Sequence, residues 1–319
     1  MTTKPVKTTY PLPALSLAFA TLVLAVGYLY TVTDSCVRGG VECFYQPLPM
    51  TGVAPFRYRL LAPALQYLFA PNAPESRALL IDVGIHTVLV ALLLPALFLW
   101  LRRWVSQDKA VSAIMILSLC FTVAYHFYLP FGTTIIELTL LCLLLANIDG
   151  SFAVIVVLVI LDSFNRETAL LLVAAYGAWH GWAGKNRTIV LFVIWAGITA
   201  GLHVWLGPAP HIYGLGGTFE RNVQALSRAL IYNAAFVPLW IMTLREYRYS
   251  PAPLKRMVWV AGIYAVSILV GASWEEVRLL LPLLPLVMPV MLKGRLPEVT
   301  ADIGKKSAVP KESQAAPTA

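Results

Sequence analysis

Apolar residues in this chain run continuously instead of alternating, and short polar stretches separate the runs. That pattern predicts helices that cross a bilayer, because continuous apolar stretches near 20 residues match its hydrocarbon thickness. About ten runs are visible: 11–32, 78–101, 111–129, 132–148, 151–164, 167–183, 188–206, 229–244, 257–273 and 279–292. Several are too short for an upright crossing, and 151–164 and 167–183 read as broken or tilted helices. The expected fold is all-α: a polytopic transmembrane helical bundle of about ten spans occupying residues 1–295. Outer loops are expected at 33–77 and 207–228. A disordered cytoplasmic tail is expected over 296–319, which is rich in Ala, Pro, Ser and Lys. The first run follows Lys4 and Lys7 and exceeds the roughly 7–15 residues of a signal-peptide core, so it reads as an uncleaved span. No internal repeat is visible, which gives an inverted-repeat transporter no support.

Composition agrees with the pattern. Hydrophobic residues make up 59% of the 319 and charged residues only 13%, about half the share usual in a soluble domain. The net charge of +8 would suggest nucleic-acid binding in a soluble protein, but the cations lie between apolar runs and act as topology signals. Placing the N-terminus inside puts 16 of the 24 basic residues on the cytoplasmic side, including every lysine. The expectation is a bacterial plasma (inner) membrane protein with both termini cytoplasmic. The eight remaining cations are all arginines on the opposite side or its boundary: Arg38, Arg57, Arg59, Arg77, Arg166, Arg221, Arg228 and Arg278. Arginine's planar fork suits phosphate and carboxylate, so this sorting points toward anion recognition. No GxxxxGK[ST], GxGxxG or HExxH motif occurs, nor any metal-ligand spacing.

Four polar clusters are candidates for chemistry. In the first outer loop Asp34 follows the first run, either as a solvated helix-end acid or as a general base at the lipid boundary. Cys36 and Cys43, seven apart, are spaced for a small disulfide loop. The stretch Pro55–Gln66 suits an interfacial helix from Arg59 onward, with Arg59, Pro63 and Gln66 on one face. Its Arg57 and Arg59 read either as snorkelling side chains or as a clamp on a lipid phosphate. Asp162, Asn165, Arg166 and Glu167 crowd one turn, and Asp162 and Arg166 are spaced to pair along a helix. That turn is either self-satisfied or functional, since charge near hydrocarbon is costly. In the fourth cluster Glu275 and Arg278 share a face before Pro282, Pro285 and Pro289, which interrupt helix hydrogen bonding. Within the runs, Asp82 and His86 are four apart, as a structural contact or part of a proton path; Glu137, His126 and His203 have no evident partner. Cys120 and Cys142 read as packing residues. The Gly-rich, aromatic stretch 208–222 reads as a loop able to cover a headgroup.

The combination of Asp34, PFRYRLLAP (55–63), FNRET (164–168) and EEVRLLLPLLP (275–285) resembles the GT-C class of membrane glycosyltransferases, in its small bacterial members. The resemblance spans roughly 11–292 and implies a polyprenyl-phosphate sugar as donor, with transfer to a glycan, lipid or protein acceptor at the non-cytoplasmic face. It implies Asp34 as catalytic base, with Glu167 as second choice, and Arg57, Arg59, Arg166 and Arg278 as donor-phosphate ligands. Asn165, Glu275 and Gln66 would support them. No cofactor beyond the lipid-linked sugar is expected, a divalent metal is not indicated, and the partners are membrane lipids, not nucleic acid. The alternatives are a transporter or flippase for an anionic lipid or solute, and a non-catalytic membrane subunit.

Overall fold

The computed structural model describes residues 12–39, 58–69, 75–127, 132–208, 220, 222–274 and 276–293, and among these residues helix is present and strand is not. The α-helices are α1 (Leu12–Gly39), α2 (Leu61–Phe69), α3 (Glu75–Arg102), α4 (Gln107–Phe127), α5 (Gly132–Ala146), α6 (Phe152–Asn165), α7 (Leu170–His180) and α8 (Lys185–Leu206). They continue with α9 (Leu226–Asn233), α10 (Val237–Tyr247), α11 (Ala252–Gly271) and α12 (Leu284–Lys293). The described residues of the ten apolar runs lie mainly on helical segments.

By length and composition, four stretches are apolar enough to cross a membrane: Pro13–Tyr30, Leu79–Arg102, Gln107–Ala124 and Glu167–Leu206; Thr133–Ala146 and Phe152–Asn165 are shorter apolar helices. The outward faces of these and of α11 carry Phe19, Leu22, Val193, Val204, Trp259 and Ile263, all well exposed. An apolar surface of that extent fits lipid better than water.

The last long stretch is not one rod. Gly181 adopts φ 58, ψ −140, a conformation that a side chain strains, and there the chain reverses. Trp195 Nε1 on α8 donates to the Glu167 carbonyl at 3.0 Å, and the Thr188 methyl packs against Gly177. The runs 167–183 and 188–206 are therefore an antiparallel hairpin.

Buried apolar side chains of α3, α4, α5, α7 and α12 form the centre, with Trp100, Leu94, Leu97, Leu117, Leu138 and Leu286 fully enclosed. The three prolines near the C-terminus act as expected. Residues Val277–Leu283 wind as a tighter 3-10 segment around Pro282, and α12 starts only afterwards with Pro289 inside it. Pro289 has no N–H to give the carbonyl four residues earlier, that of Pro285. Trp100 Nε1, 185 residues away in the chain, donates to that carbonyl instead, at 3.0 Å and fully buried.

The basic segments meet at one end of the bundle. Arg103 pairs with Asp149 at 2.7 Å, Trp179 Nε1 also donates to Asp149 at 2.7 Å, and Trp100, Trp104 and Trp179 pack edge to face. Lys109 Nζ donates to the Leu292 carbonyl at 3.1 Å. Arg256 donates to the carbonyls of Ala178 and Trp179. Cations here satisfy carbonyls that helix C-termini leave without partners and meet the negative ends of the helix dipoles.

Candidate functional site

The opposite end of the bundle holds the other charges, and a break in the backbone arranges them. α6 stops at Asn165 because Arg166 is extended (φ −156, ψ 149), and the chain resumes in a 3-10 turn over Glu167–Ala169. Four successive side chains thereby leave the helix axis in different directions. Asn165 Nδ2 donates to the Thr133 carbonyl at 2.9 Å and to Asp162 Oδ1 at 3.0 Å. Arg166 reaches Glu137 on α5 at 2.8 Å and Thr134 at 3.3 Å. Thr168 donates to the other oxygen of Glu137 at 2.6 Å, with Tyr264 of α11 close by. Glu167 turns outward and pairs with Arg59 at 2.9 Å.

The two ion pairs differ in setting. Arg166 and Glu137 are enclosed, with side chains 4% and 0% exposed. Arg59 is also enclosed, at 7%, but its partner Glu167 is 38% exposed, so the second pair has one open side. Burial, and after it the nearby Arg166 guanidinium, lowers the Arg59 pKa from its usual value, while Glu167 works against that shift. Arginine stays charged through such a change.

Arg59 is held from both flanks. Leu60 N–H donates to the Phe164 carbonyl at 2.8 Å. The Tyr58 ring stacks on His203 at 3.8 Å, and its hydroxyl donates to the Gly207 carbonyl at 3.0 Å. The site is therefore built from the approach to α2, the start of α5, the end of α6, the turn before α7 and the end of α8.

Several expectations change in position. Asp34 does not follow the first helix but lies on it, since α1 continues to Gly39; its side chain, like those of Cys36 and Gln66, is outside the described set, as are residues Arg57, Cys43 and Glu275. Arg59 precedes α2 and does not share its face with Pro63. Arg166 does not pair with Asp162 along a helix, because its extended backbone takes it off the helical face toward Glu137. Arg278 pairs with Glu276 at 2.9 Å, both largely enclosed. Asn222 and Asn233 tie the neighbouring segment down: Asn222 bonds the Ala272 carbonyl and the Trp274 N–H, and Asn233 bonds the Trp274 carbonyl.

The structure thus brings together Arg59, Asn165, Arg166 and Glu167 and adds Glu137, Thr133, Thr134, Thr168 and Asp162. The signal for Glu137 is its isolation: an acid among apolar residues of a short helix requires a cation, and Arg166 is the cation directly after the adjoining helix.

Asp82 and His86 also acquire a partner. The Tyr28 hydroxyl donates to Asp82 Oδ2 in a short bond, and its ring stacks on His86 at 3.7 Å, within 6° of parallel. Ala62, Leu65, Ile135 and Ile136 complete a small crevice around them.

Comparison with protein-family models, curated proteins and solved structures returned no match.

Proposed function

We propose that this chain is a membrane glycosyltransferase that moves a sugar from a polyprenyl-phosphate donor to a hydroxyl acceptor at the membrane face carrying Arg59 and Glu167. The observation that carries the reading is that pair: an enclosed arginine whose carboxylate partner is 38% exposed, at the end of the bundle away from the basic belt. By the positive-inside rule the basic end is cytoplasmic. The helices then make about ten crossings in the bacterial plasma membrane, the short ones tilted. Both termini are cytoplasmic, and α2 lies along the outer face.

In this reading a donor phosphate competes with Glu167 for the Arg59 fork, which binds phosphate as readily as carboxylate. Arg57 adds a second cation. The acceptor oxygen attacks the anomeric carbon as the carbon–oxygen bond to phosphate breaks, and the phosphate leaves with the electron pair. Arginine stabilises the charge developing on it. The hydroxyl proton goes to a carboxylate, Asp34 first or a displaced Glu167 second. Arg166, bound to Glu137 and Thr134, positions the turn, while Asn165, Gln66, Glu275 and Arg278 support the surroundings.

The test is a transfer assay on purified protein with polyprenyl-phosphate sugars and acceptor extracts. Wild type is compared with Asp34→Asn, Glu167→Gln, Arg57→Ala and Arg59→Lys. Turnover that falls at least about a hundredfold in one of the carboxylate variants, with weaker donor use in an arginine variant, supports the reading. Donor binding without turnover, indifferent to both carboxylates, rejects it. The Tyr28–Asp82–His86 group inside the helices favours the second reading, a proton-coupled carrier for an anionic lipid or solute. Uptake into proteoliposomes that Asp82→Asn abolishes would establish that one.

A further inference from the structure

The charges around the α6–α7 break do not balance. Glu137, Asp162 and Glu167 are three carboxyl groups set against two guanidinium groups, those of Arg59 and Arg166, and all five lie close enough to influence one another. Arg166 is bonded to Glu137 and Arg59 to Glu167, and among the described residues no cation is bonded to the Asp162 carboxyl group. Asp162 and Asn165 are both 0% exposed and Thr133 is 9% exposed. A carboxylate so enclosed is costly unless compensated.

Three oxygens at this point lack partners among the described residues, one of them its own. Asp162 Oδ2, Asn165 Oδ1 and Thr133 Oγ1 are buried and make no hydrogen bond. They are neighbours, because the Asn165 amide bridges its two companions, donating from Nδ2 to Asp162 Oδ1 and to the Thr133 carbonyl. Those two bonds also fix the sense of the carboxamide: Nδ2 faces the two acceptors, and Oδ1 is the atom left without a partner. The group therefore offers one carboxylate, one amide and one hydroxyl oxygen, with no nitrogen or sulfur donor among them.

We propose that Asp162, Asn165 and Thr133 bind a small monovalent cation, sodium by preference, at the junction of α5 and α6. An all-oxygen set selects a hard cation, and one surplus negative charge is neutralised by one positive charge. The ion occupies the acceptors that the protein leaves unsatisfied, and it holds the end of α6 against the start of α5, from which Arg166 and Glu167 project. The proposal does not depend on the transferase reading.

The experiment is thermal unfolding of the purified, detergent-solubilised full chain, in sodium chloride titrated against N-methyl-D-glucamine chloride at constant ionic strength. The expected result is a saturable rise in Tm of several degrees with sodium, the behaviour of a ligand that binds only the folded state. Asp162→Asn removes the surplus charge; its Tm in the absence of sodium is at least that of wild type, and its sodium response is lost. A purely structural aspartate would give a lower Tm in both salts. Thr133→Val keeps the fold and shifts the half-saturating sodium concentration upward several-fold. Equal melting in the two salts would overturn the proposal, as would a sodium response that persists in Asp162→Asn. Equal melting combined with a strong dependence on pH would assign the missing positive charge to a proton on Asp162.

Discussion

Trp100→Phe isolates one backbone defect and its repair. The substitution keeps an aromatic ring at a fully buried position but removes the indole N–H that serves the Pro285 carbonyl at 3.0 Å. A buried acceptor left unmade costs about 1–3 kcal/mol, and the smaller ring adds a packing loss of its own. The second substitution, Pro289→Ala, separates these contributions. Alanine at 289 has the N–H that proline lacks, and within α12 it points at the Pro285 carbonyl. In that background Trp100→Phe retains the packing loss but orphans nothing, so its cost should fall by about 1–2 kcal/mol. Unfolding of the four proteins in mixed micelles with rising dodecyl sulfate, followed by far-ultraviolet circular dichroism, gives the cycle without relying on the altered tryptophan signal. Equal costs in both backgrounds, within the roughly 0.3–0.5 kcal/mol expected of independent sites, would refute the repair argument.

Two further outcomes test the architecture. Glu137→Gln should destabilise the protein by about 1–3 kcal/mol, because the enclosed Arg166 loses the carboxylate bonded to it and keeps only the neighbouring Asp162 and Glu167. The double variant with Arg166→Gln should recover part of that loss in the same unfolding assay; simple additivity of the two single losses would argue against a coupled pair. Gly181→Ala should cost about 1–3 kcal/mol through its positive φ. Its added methyl also approaches the Arg256 guanidinium to 3.2 Å, so an unchanged Tm would contradict the hairpin turn.

The helices were largely legible because a bilayer demands continuous apolar runs: 78–101 lies within Glu75–Arg102, and 151–164 differs from Phe152–Asn165 by one residue at each end. The FNRET turn was legible as a site because its polar side chains interrupt two such runs. The pairings were not. A heptad or turn rule links Asp162 to Arg166, but the dihedral angles of one residue decide otherwise, and those angles answer to Glu137, 29 residues earlier in the chain. Arg59 and Glu167 meet across 108 residues, and Trp100 and Pro285 across 185. Such contacts arise from packing, which no local pattern encodes.

The pair of Glu137 and Arg166 also bears on how the chain is made. α5 and α6 are consecutive helices joined by a short turn near Asp149, and their charges meet at the far end. A charged residue at the centre of a lone helix costs roughly 2.5–3.5 kcal/mol on insertion scales, and one in the second turn, as Glu137 is in α5, costs less. A chain halted after α5 would present Glu137 to lipid by itself, whereas one extended through residue 166 supplies its counter-charge. The two helices therefore form one unit of insertion, and α5 has its most favourable partition into the bilayer only once α6 has left the ribosome.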